Sequence, residues 1–295
     1  MRSIVAETFN CSRTDVFRLY PLSDVHFGSA ACDEVSLRAT VAEVATNRRF
    51  HRWVDVGDSI EAVRPGDKRF DPRQVAPWVD LDDLANISYV QADRYADVVE
   101  PVAAQCWGKG MGNHEATIIN RDGFNPHYHV VQRLARGSQK PHKRLDLDYC
   151  GVLVLKFYRS EEAAPARVET VKVMVWHGAG GGRLLPESKL RSLLGAYDVD
   201  VLLTGHVHKA GYVLHDVMGW NNTTGEREMR RRTAVVCGTY ARSFNPADSG
   251  PTYGEVAGYA PADSSGVVVE IAPFARDAVD RVRVVGAPRL TRDYD

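Results

Sequence analysis

Residues 16–26 read VFRLYPLSDVH, a short apolar run that stops at Ser23-Asp24 and leaves Asp24-Val25-His26 just beyond it. An apolar run of this length bounded by polar residues reads as a buried strand, and its polar end marks a place where chemistry can be displayed. The same grammar recurs along the chain. Phe50 to Val56 runs into Gly57-Asp58, and Val171 to Trp176 ends at His177-Gly178. Val199 to Leu203 leads to Gly205-His206-Val207-His208, and Val102 to Trp107 is a candidate strand before Gly112-Asn113-His114-Glu115, which reads as a strand-to-loop junction. In open α/β sheets, ligands bind at the edge where strands stop.

Helical spacing over Glu34 to Thr46 and Asp82 to Glu100 gives the first half a βαβαβ order. The second half is richer in strands, at 152–158, 171–176, 199–203, 213–216, 232–237, 266–271 and 281–285, with one helix over Glu187 to Leu194. Residues 59–80, rich in Pro, Gly and charge, and residues 120–148 read as surface insertions in a single domain spanning 1–295. With 295 residues, 44% hydrophobic and 25% charged, the chain has ample material for a core, which excludes a disordered or fibrous protein.

Lys plus Arg number 37 against 38 Asp plus Glu, so any binding of nucleic acid must come from local patches. Five scattered cysteines without a C-x-x-C pair point to packing residues in a reducing compartment. The N-terminus lacks the apolar core of a secretory signal and no run is long enough for a membrane span, so the expectation is a soluble cytoplasmic protein.

Taken singly, the strand-end motifs are weak, since a D-x-H triplet is common and an H-x-H on a strand usually lies on one solvated face. Their order and placement are specific. Together they gather two carboxylates, one amide and four imidazoles, a set no apolar core accommodates. Oxygen and nitrogen donors without thiolate suit Mn, Fe, Zn, Co or Ni. Seven donors are too many for one tetrahedral ion and suit two ions sharing a carboxylate.

The ordered motifs resemble the calcineurin-like metallophosphoesterase superfamily over nearly the whole chain. The resemblance implies an α/β (α+β) fold, a four-layer α/β/β/α sandwich of two mixed β-sheets. It also implies two divalent metal ions, manganese first. One would take Asp24, His26, Asp58 and His208; the other would take Asp58, Asn113, His177 and His206, with Asp58 as the bridge. The catalytic set would be His114, Asp58 and Asn113, with His114 contacting phosphoryl oxygens and protonating the leaving group while a metal-bridging hydroxide attacks phosphorus. Glu115 either orients His114 or serves as a helix N-terminal acid.

After Asp58 the chain reads Ser-Ile-Glu-Ala-Val, without the Asp-Arg-Gly of protein serine/threonine phosphatases. The His206/His208 pair, the run Gly178, Gly180, Gly181, Gly182 and Arg183, and the Gly238-Thr239-Tyr240, Tyr253, Glu255, Tyr259 and Pro261 pattern are similar to SbcD-like, DNA exonuclease-like phosphodiesterases of phages and prophages. That makes a phage-encoded protein in a host cytoplasm one expectation. The function expected is a phosphodiesterase on nucleic acid or nucleotides, as a monomer or homodimer. A phosphomonoesterase and a non-catalytic binding module of the same fold are the alternatives.

Arg183, Lys143 and Arg144 are the candidate substrate contacts. Two basic clusters, Arg133, Arg136, Lys140, Lys143 and Arg144, and Arg227, Arg230, Arg231 and Arg232, would track DNA or RNA if they flank the site, and otherwise form a solvated face. Tyr128, Trp220, Phe244 and Tyr253 are candidate stacking residues.

Overall fold

The apolar runs assemble into two six-stranded mixed sheets stacked face to face. In this computed structural model residues 1–67, 70–161, 164–179, 187–220, 224–244, 251–256, 258 and 266–286 are described. One sheet has the order β1 (Arg2–Asn10), β6 (Cys150–Glu161), β7 (Ala164–Trp176), β8 (Val201–Thr204), β10 (Arg227–Cys237) and β9 (Ala210–Trp220). The other runs β12 (Val282–Val285), β11 (Val268–Ile271), β2 (Phe17–Ser23), β3 (His51–Gly57), β4 (Cys106–Gly110) and β5 (Asp146–Asp148).

The helices are α1 (Glu34–Thr46), α2 (Ile87–Val99), α3 (Asn113–Asp122), α4 (Pro126–Ser138), α5 (Glu187–Ala196) and the single turn α6 (Tyr253–Val256). Those named α1, α2 and α4 cover the outer face of the β2–β5 sheet through Leu37, Val44, Tyr95, Val99, Val131 and Leu134. Leu190 and Leu194 of α5 pack on the outer face of the other sheet against Leu202, Ala234 and Val236. The result is the α/β/β/α layering that the resemblance implies.

Period-two alternation divides each central strand between two cores. In β2, Phe17 and Leu19 face the space between the sheets while Tyr20 and Leu22 face the helices; in β8, Val201 and Leu203 face inward and Leu202 outward. A one-residue slip would exchange the two sets, so register is fixed by burial on both sides. Phe9, Phe17 and Phe157 meet with centroids 4.9 to 5.3 Å apart in the inter-sheet core at the end where β2 begins.

Three expectations are corrected. The strand placed at 102–107 is β4 at Cys106–Gly110, because Pro101 opens a 3-10 turn over Glu100–Gln105 whose Val102 and Ala103 join the helix-side core. Residues 120–148 are not a surface insertion: they supply α4, with Val130, Val131 and Leu134 buried, and the edge strand β5. The head of the 59–80 segment is also interior, with Ser59, Ile60 and Ala62 buried.

The composition of β4, Cys-Trp-Gly-Lys-Gly, is poor for a strand, and its lysine is wholly buried. Lys109 Nζ donates to Ser59 Oγ (2.5 Å) and Gly110 O (2.8 Å), and lies 3.2 Å from Asp55 Oδ1 and 3.5 Å from Glu115 Oε1. Burial opposes its charge, yet Asp55 and Glu115 raise its pKa, and against the same penalty Lys109 lowers that of Glu115. Removing one member of a buried ion pair leaves the other uncompensated. Lys109→Met is therefore expected to lose about 3–5 kcal/mol of stability, read as a lower urea midpoint at unchanged slope.

At the far edge, Asp146 of β5 is bonded by Arg2 of β1 and by His127 Nε2 (2.9 Å). Although burial opposes ionisation, His127 and then Arg2 bring its carboxyl from 3.8 down to about 2. A depressed acid stabilises the fold above its unfolded pKa and loses that contribution as pH falls through the folded one. Stability is thus expected to drop between about pH 4 and pH 2, and Asp146→Asn to remove that part of the acid limb in pH-resolved denaturation.

Candidate metal centre

Strands β2, β3, β4 and β5 are parallel, as are β7, β8 and β10, and the two groups end at the same edge of the sandwich. Asp24 follows β2, Asp58 follows β3, Asn113 opens α3 after β4, His177 follows β7, and His206 and His208 follow β8. The parallel pairing continues past the strands through Asp24 N to Gly57 O (3.1 Å) and His26 N to Asp58 O (3.0 Å). Across the sheets, His206 N donates to both carboxylate oxygens of Asp24, at 3.0 and 2.9 Å.

All seven expected ligands converge. His208 Nε2 lies 3.3 Å from Asp24 Oδ1 and 3.1 Å from His26 Nε2. His177 Nε2 lies 3.1 Å from Asp58 Oδ2, and His206 Nδ1 lies 2.9 Å from Asn113 Oδ1. Donors bound at about 2.1 Å to one ion stand about 3 Å from one another, which is the spacing here. Asp24, His26 and His208 form one compact group and Asp58, His177 and His206 another, while Asp58 also joins His26 and His114 in a third between them. Asp58 is thus placed between the two clusters.

The donor chemistry fits divalent ions. His177 Nδ1 donates to Val56 O (3.2 Å), which leaves its buried Nε2 without a hydrogen-bond partner and facing a carboxylate. A buried imidazole nitrogen in that position is matched by a cation. In the protein alone, burial opposes a charged ring, but Asp58 and Asp24 raise His177 to about 9. Burial likewise opposes ionisation of Asp58, which is nevertheless held well below the usual carboxylate range by His114, His177 and His26. Both shifts follow from the buried carboxylates, which favour positive charge beside them, and the two clusters are the residues that would hold divalent ions there.

Among the described residues eight non-glycines have positive φ, and five of them are the candidate ligands Asp24, His26, Asp58, His206 and His208. Such strain clusters at functional sites because the surroundings over-determine it. Glycines make the crowding possible: a Cβ on Gly112 would collide with the Asp58 carboxylate, and one on Gly205 with Ser23 Oγ and Asp24.

His114 lies on the first turn of α3, so the Gly-Asn-His-Glu element is a strand-to-helix rather than a strand-to-loop junction. Its backbone N donates to Asp58 Oδ1 (2.9 Å) and its Nδ1 to Glu61 O (2.5 Å), and its ring stands edge-on to that of His26, with centroids 4.6 Å apart. Glu115 does not bond the His114 side chain. It accepts backbone N–H groups from Ser59 (2.8 Å), Asp58 (3.1 Å) and Gly112 (3.0 Å), clamping the Asp58 loop to the start of α3.

The basic residues fall elsewhere. Lys143 and Arg144 sit on the 3-10 turn His142–Arg144 just before the edge strand β5, two strands away from β3 and Asp58. Arg227 to Arg232 occupy the first half of β10, and at about 3.3 Å per residue Arg231 stands about 20 Å from Cys237, the end near Asp24. Arg231 pairs with Asp216, Arg232 with Asp198, and Arg133 with Asp93, Asp97 and Glu100, so these cations serve the fold. Trp220 and Phe244 are exposed, whereas Arg183, Gly180 to Gly182, Tyr259 and Pro261 lie outside the described residues.

The sequence reading missed Glu61 and Lys109. Glu61 was hidden in a segment read as surface, and Lys109 carries a charge that strand patterns assign to solvent. If the centre holds ions, saturating Mn should raise the melting temperature, since a ligand at 100 times its dissociation constant adds about 2.7 kcal/mol. Asp58→Asn should abolish most of that rise in a thermal melt, and a rise of unchanged size would refute the assignment.

No family model matches the chain, and no curated protein matches its sequence. Among solved structures it is similar to a metallophosphoesterase from Sphaerobacter thermophilus, over 92% of this chain and 89% of that one, at 15% identity and a TM-score of 0.39. A conserved protein from Streptococcus pneumoniae, a predicted phosphoesterase, aligns over 87% and 84% at 12% identity and 0.31. The NAD nucleotidase of Haemophilus influenzae aligns over 94% of this chain but 50% of its own, at 9% and 0.37, so the chain spans half that protein's length.

Proposed function

We propose that the chain is a dinuclear metal-dependent phosphoesterase acting on phosphodiesters, with nucleotide diesters as its substrate class. The observation that carries this reading is the meeting of seven donors from five strand ends, with the buried His177 Nε2 turned to the Asp58 carboxylate among them. Manganese is the first choice, with iron, zinc, nickel and cobalt suited to the same donors. Two such ions would bring +4 against −2 from Asp24 and Asp58, a surplus that attracts phosphate and lowers the pKa of bound water.

The chain's own contribution centres on His114. Its Nδ1–H is committed to Glu61 O, so Nε2 is the atom that meets substrate. There it hydrogen-bonds a phosphoryl oxygen and, when protonated, delivers the proton to the departing alkoxide. Asp58 holds the backbone of His114 in place, and Asn113, the preceding residue, is kept beside His206. The Gly-His-x-His pattern at 205–208, which resembles phosphodiesterases, supports diesters over monoesters. Arg133, Arg231 and Arg232 of the basic clusters lend no support to a long nucleic-acid track, because each is tied to carboxylates of the fold. A nucleotide or short diester is therefore favoured over polymeric DNA or RNA. Among the described residues no helix is long and apolar enough to cross a membrane.

Initial rates with bis(p-nitrophenyl) phosphate and p-nitrophenyl phosphate in Mn test the assignment. Diester preference is expected, with kcat falling about 10²- to 10⁴-fold in His114→Ala while Mn binding persists. Preference for the monoester overturns the substrate class, and hydrolysis of neither compound by protein that binds Mn overturns the enzyme reading.

A further inference from the structure

Glu61 stands three residues after Asp58 and touches the centre twice. Its Oε2 lies 2.9 Å from His26 Nδ1, and its backbone carbonyl accepts from His114 Nδ1. The residue is well anchored: Glu61 N donates to Phe27 O (3.0 Å), and the next residue, Ala62, in left-handed backbone, donates its N–H to Gln91 Oε1 (2.9 Å). The carboxylate side chain is three-quarters buried, at 26% exposure. Its place is therefore set by the fold and not by a mobile loop.

A carboxylate only accepts, so the proton of His26 is fixed on Nδ1. That leaves the Nε2 lone pair directed at His208 Nε2, 3.1 Å away, in the cluster shared with Asp24. In the other tautomer Nε2 would present a proton to those donors and could not ligate an ion. Partners of this kind set ligand tautomer and basicity, and their removal typically costs about 10- to 100-fold in metal affinity. His26 is absent from the cluster of Asp58, His177 and His206. His26 also groups with Asp58 and His114, so its acceptor acts directly on the donors around Asp24 and His208 and reaches the His177 side only through Asp58, while His177 takes its acceptor from Val56 O.

We infer that Glu61 is a positioning residue that selectively sets the affinity of the Asp24–His26–His208 metal position, leaving the second position to the backbone carbonyl behind His177. The inference rests on the dinuclear reading above. It also separates two duties of one residue. The side chain serves the metal position, and the main chain serves His114, so a side-chain substitution spares the orientation of the catalytic histidine.

The test is calorimetric titration of Mn into chelator-treated full-length protein. Wild type is expected to take two ions, and Glu61→Ala to bind one of them about 10- to 100-fold more weakly. In a His206→Ala background, where the Asp24–His26–His208 position is intact, Glu61→Ala should show its full loss; in a His208→Ala background it should add little. Glu61→Gln, which keeps an acceptor oxygen at the same reach, should recover most of the affinity, and kcat of Glu61→Ala should return when Mn is saturating. Failure of wild type to bind two ions overturns the dinuclear reading. Two ions in wild type with equal losses in both backgrounds, or a Gln variant as weak as the Ala variant, overturns the role of Glu61 alone.

Discussion

Holding the carboxylate of Asp58 ionised inside the protein is the constraint on which the rest of the structure depends. Transfer of an unpaired carboxylate from water to an interior is costly, and this one is almost wholly buried. The cost is offset by fixed groups from several elements: the His114 backbone N–H, the imidazole of His177, and the main-chain clamp that Glu115 places on residues 58, 59 and 112. Behind Glu115 stands Lys109, and behind Lys109 stands Asp55, bonded to Tyr95 and Ser59. A chain of alternating charge thus runs from the helix-side core of one sheet to the candidate metal centre. Each member is tolerable only because the next is in place.

The two sheets are joined at this edge by polar contacts and over the rest of their inner faces by apolar ones. The Phe9–Phe17–Phe157 cluster fixes how the sheets stack. With that stacking set, His206 N reaches Asp24 and His177 Nδ1 reaches Val56 O, each bond crossing from one sheet to the other. Left-handed backbone at five candidate ligands is then intelligible as the local consequence of turning each chain sharply off its strand end. That strain is borne by a sandwich whose central strands are buried on both faces.

How much of this was legible in the sequence divides along physical lines. The apolar runs ending in Asp24, Asp58, His177 and His206 were readable, because a doubly buried strand is hydrophobic throughout and a ligand at its end is not. The layered fold followed from those runs and the resemblance they support. What escaped was structure held by composition that patterns count as unfavourable. Lys109, between two glycines, makes a strand only because Asp55 and Glu115 wait for its ammonium. The pairing with Asp55 joins residues far apart in the chain, that with Glu115 crosses a strand-to-helix junction, and neither leaves a periodic trace. Residues 120–148, read as an insertion, likewise owe their place to Arg133 stapling α4 to acids on and just after α2.

The charge distribution bears on the substrate in the same way. In sequence, runs such as Arg230-Arg231-Arg232 suggest a path for a polyanion, since a phosphate backbone is bound chiefly through such cations. In the fold they are drawn off by Asp216 and Asp198 at the far half of β10, and Arg133 is drawn off by three carboxylates on the helix layer. A cation already neutralised by an adjacent carboxylate releases fewer counterions when a polyanion arrives, so its contribution to binding shrinks. Among the described residues, what the carboxyl edge gathers is a compact set of donors with the His114 imidazole beside them. On the proposed function, recognition would be local to the scissile phosphate and its nearest substituents.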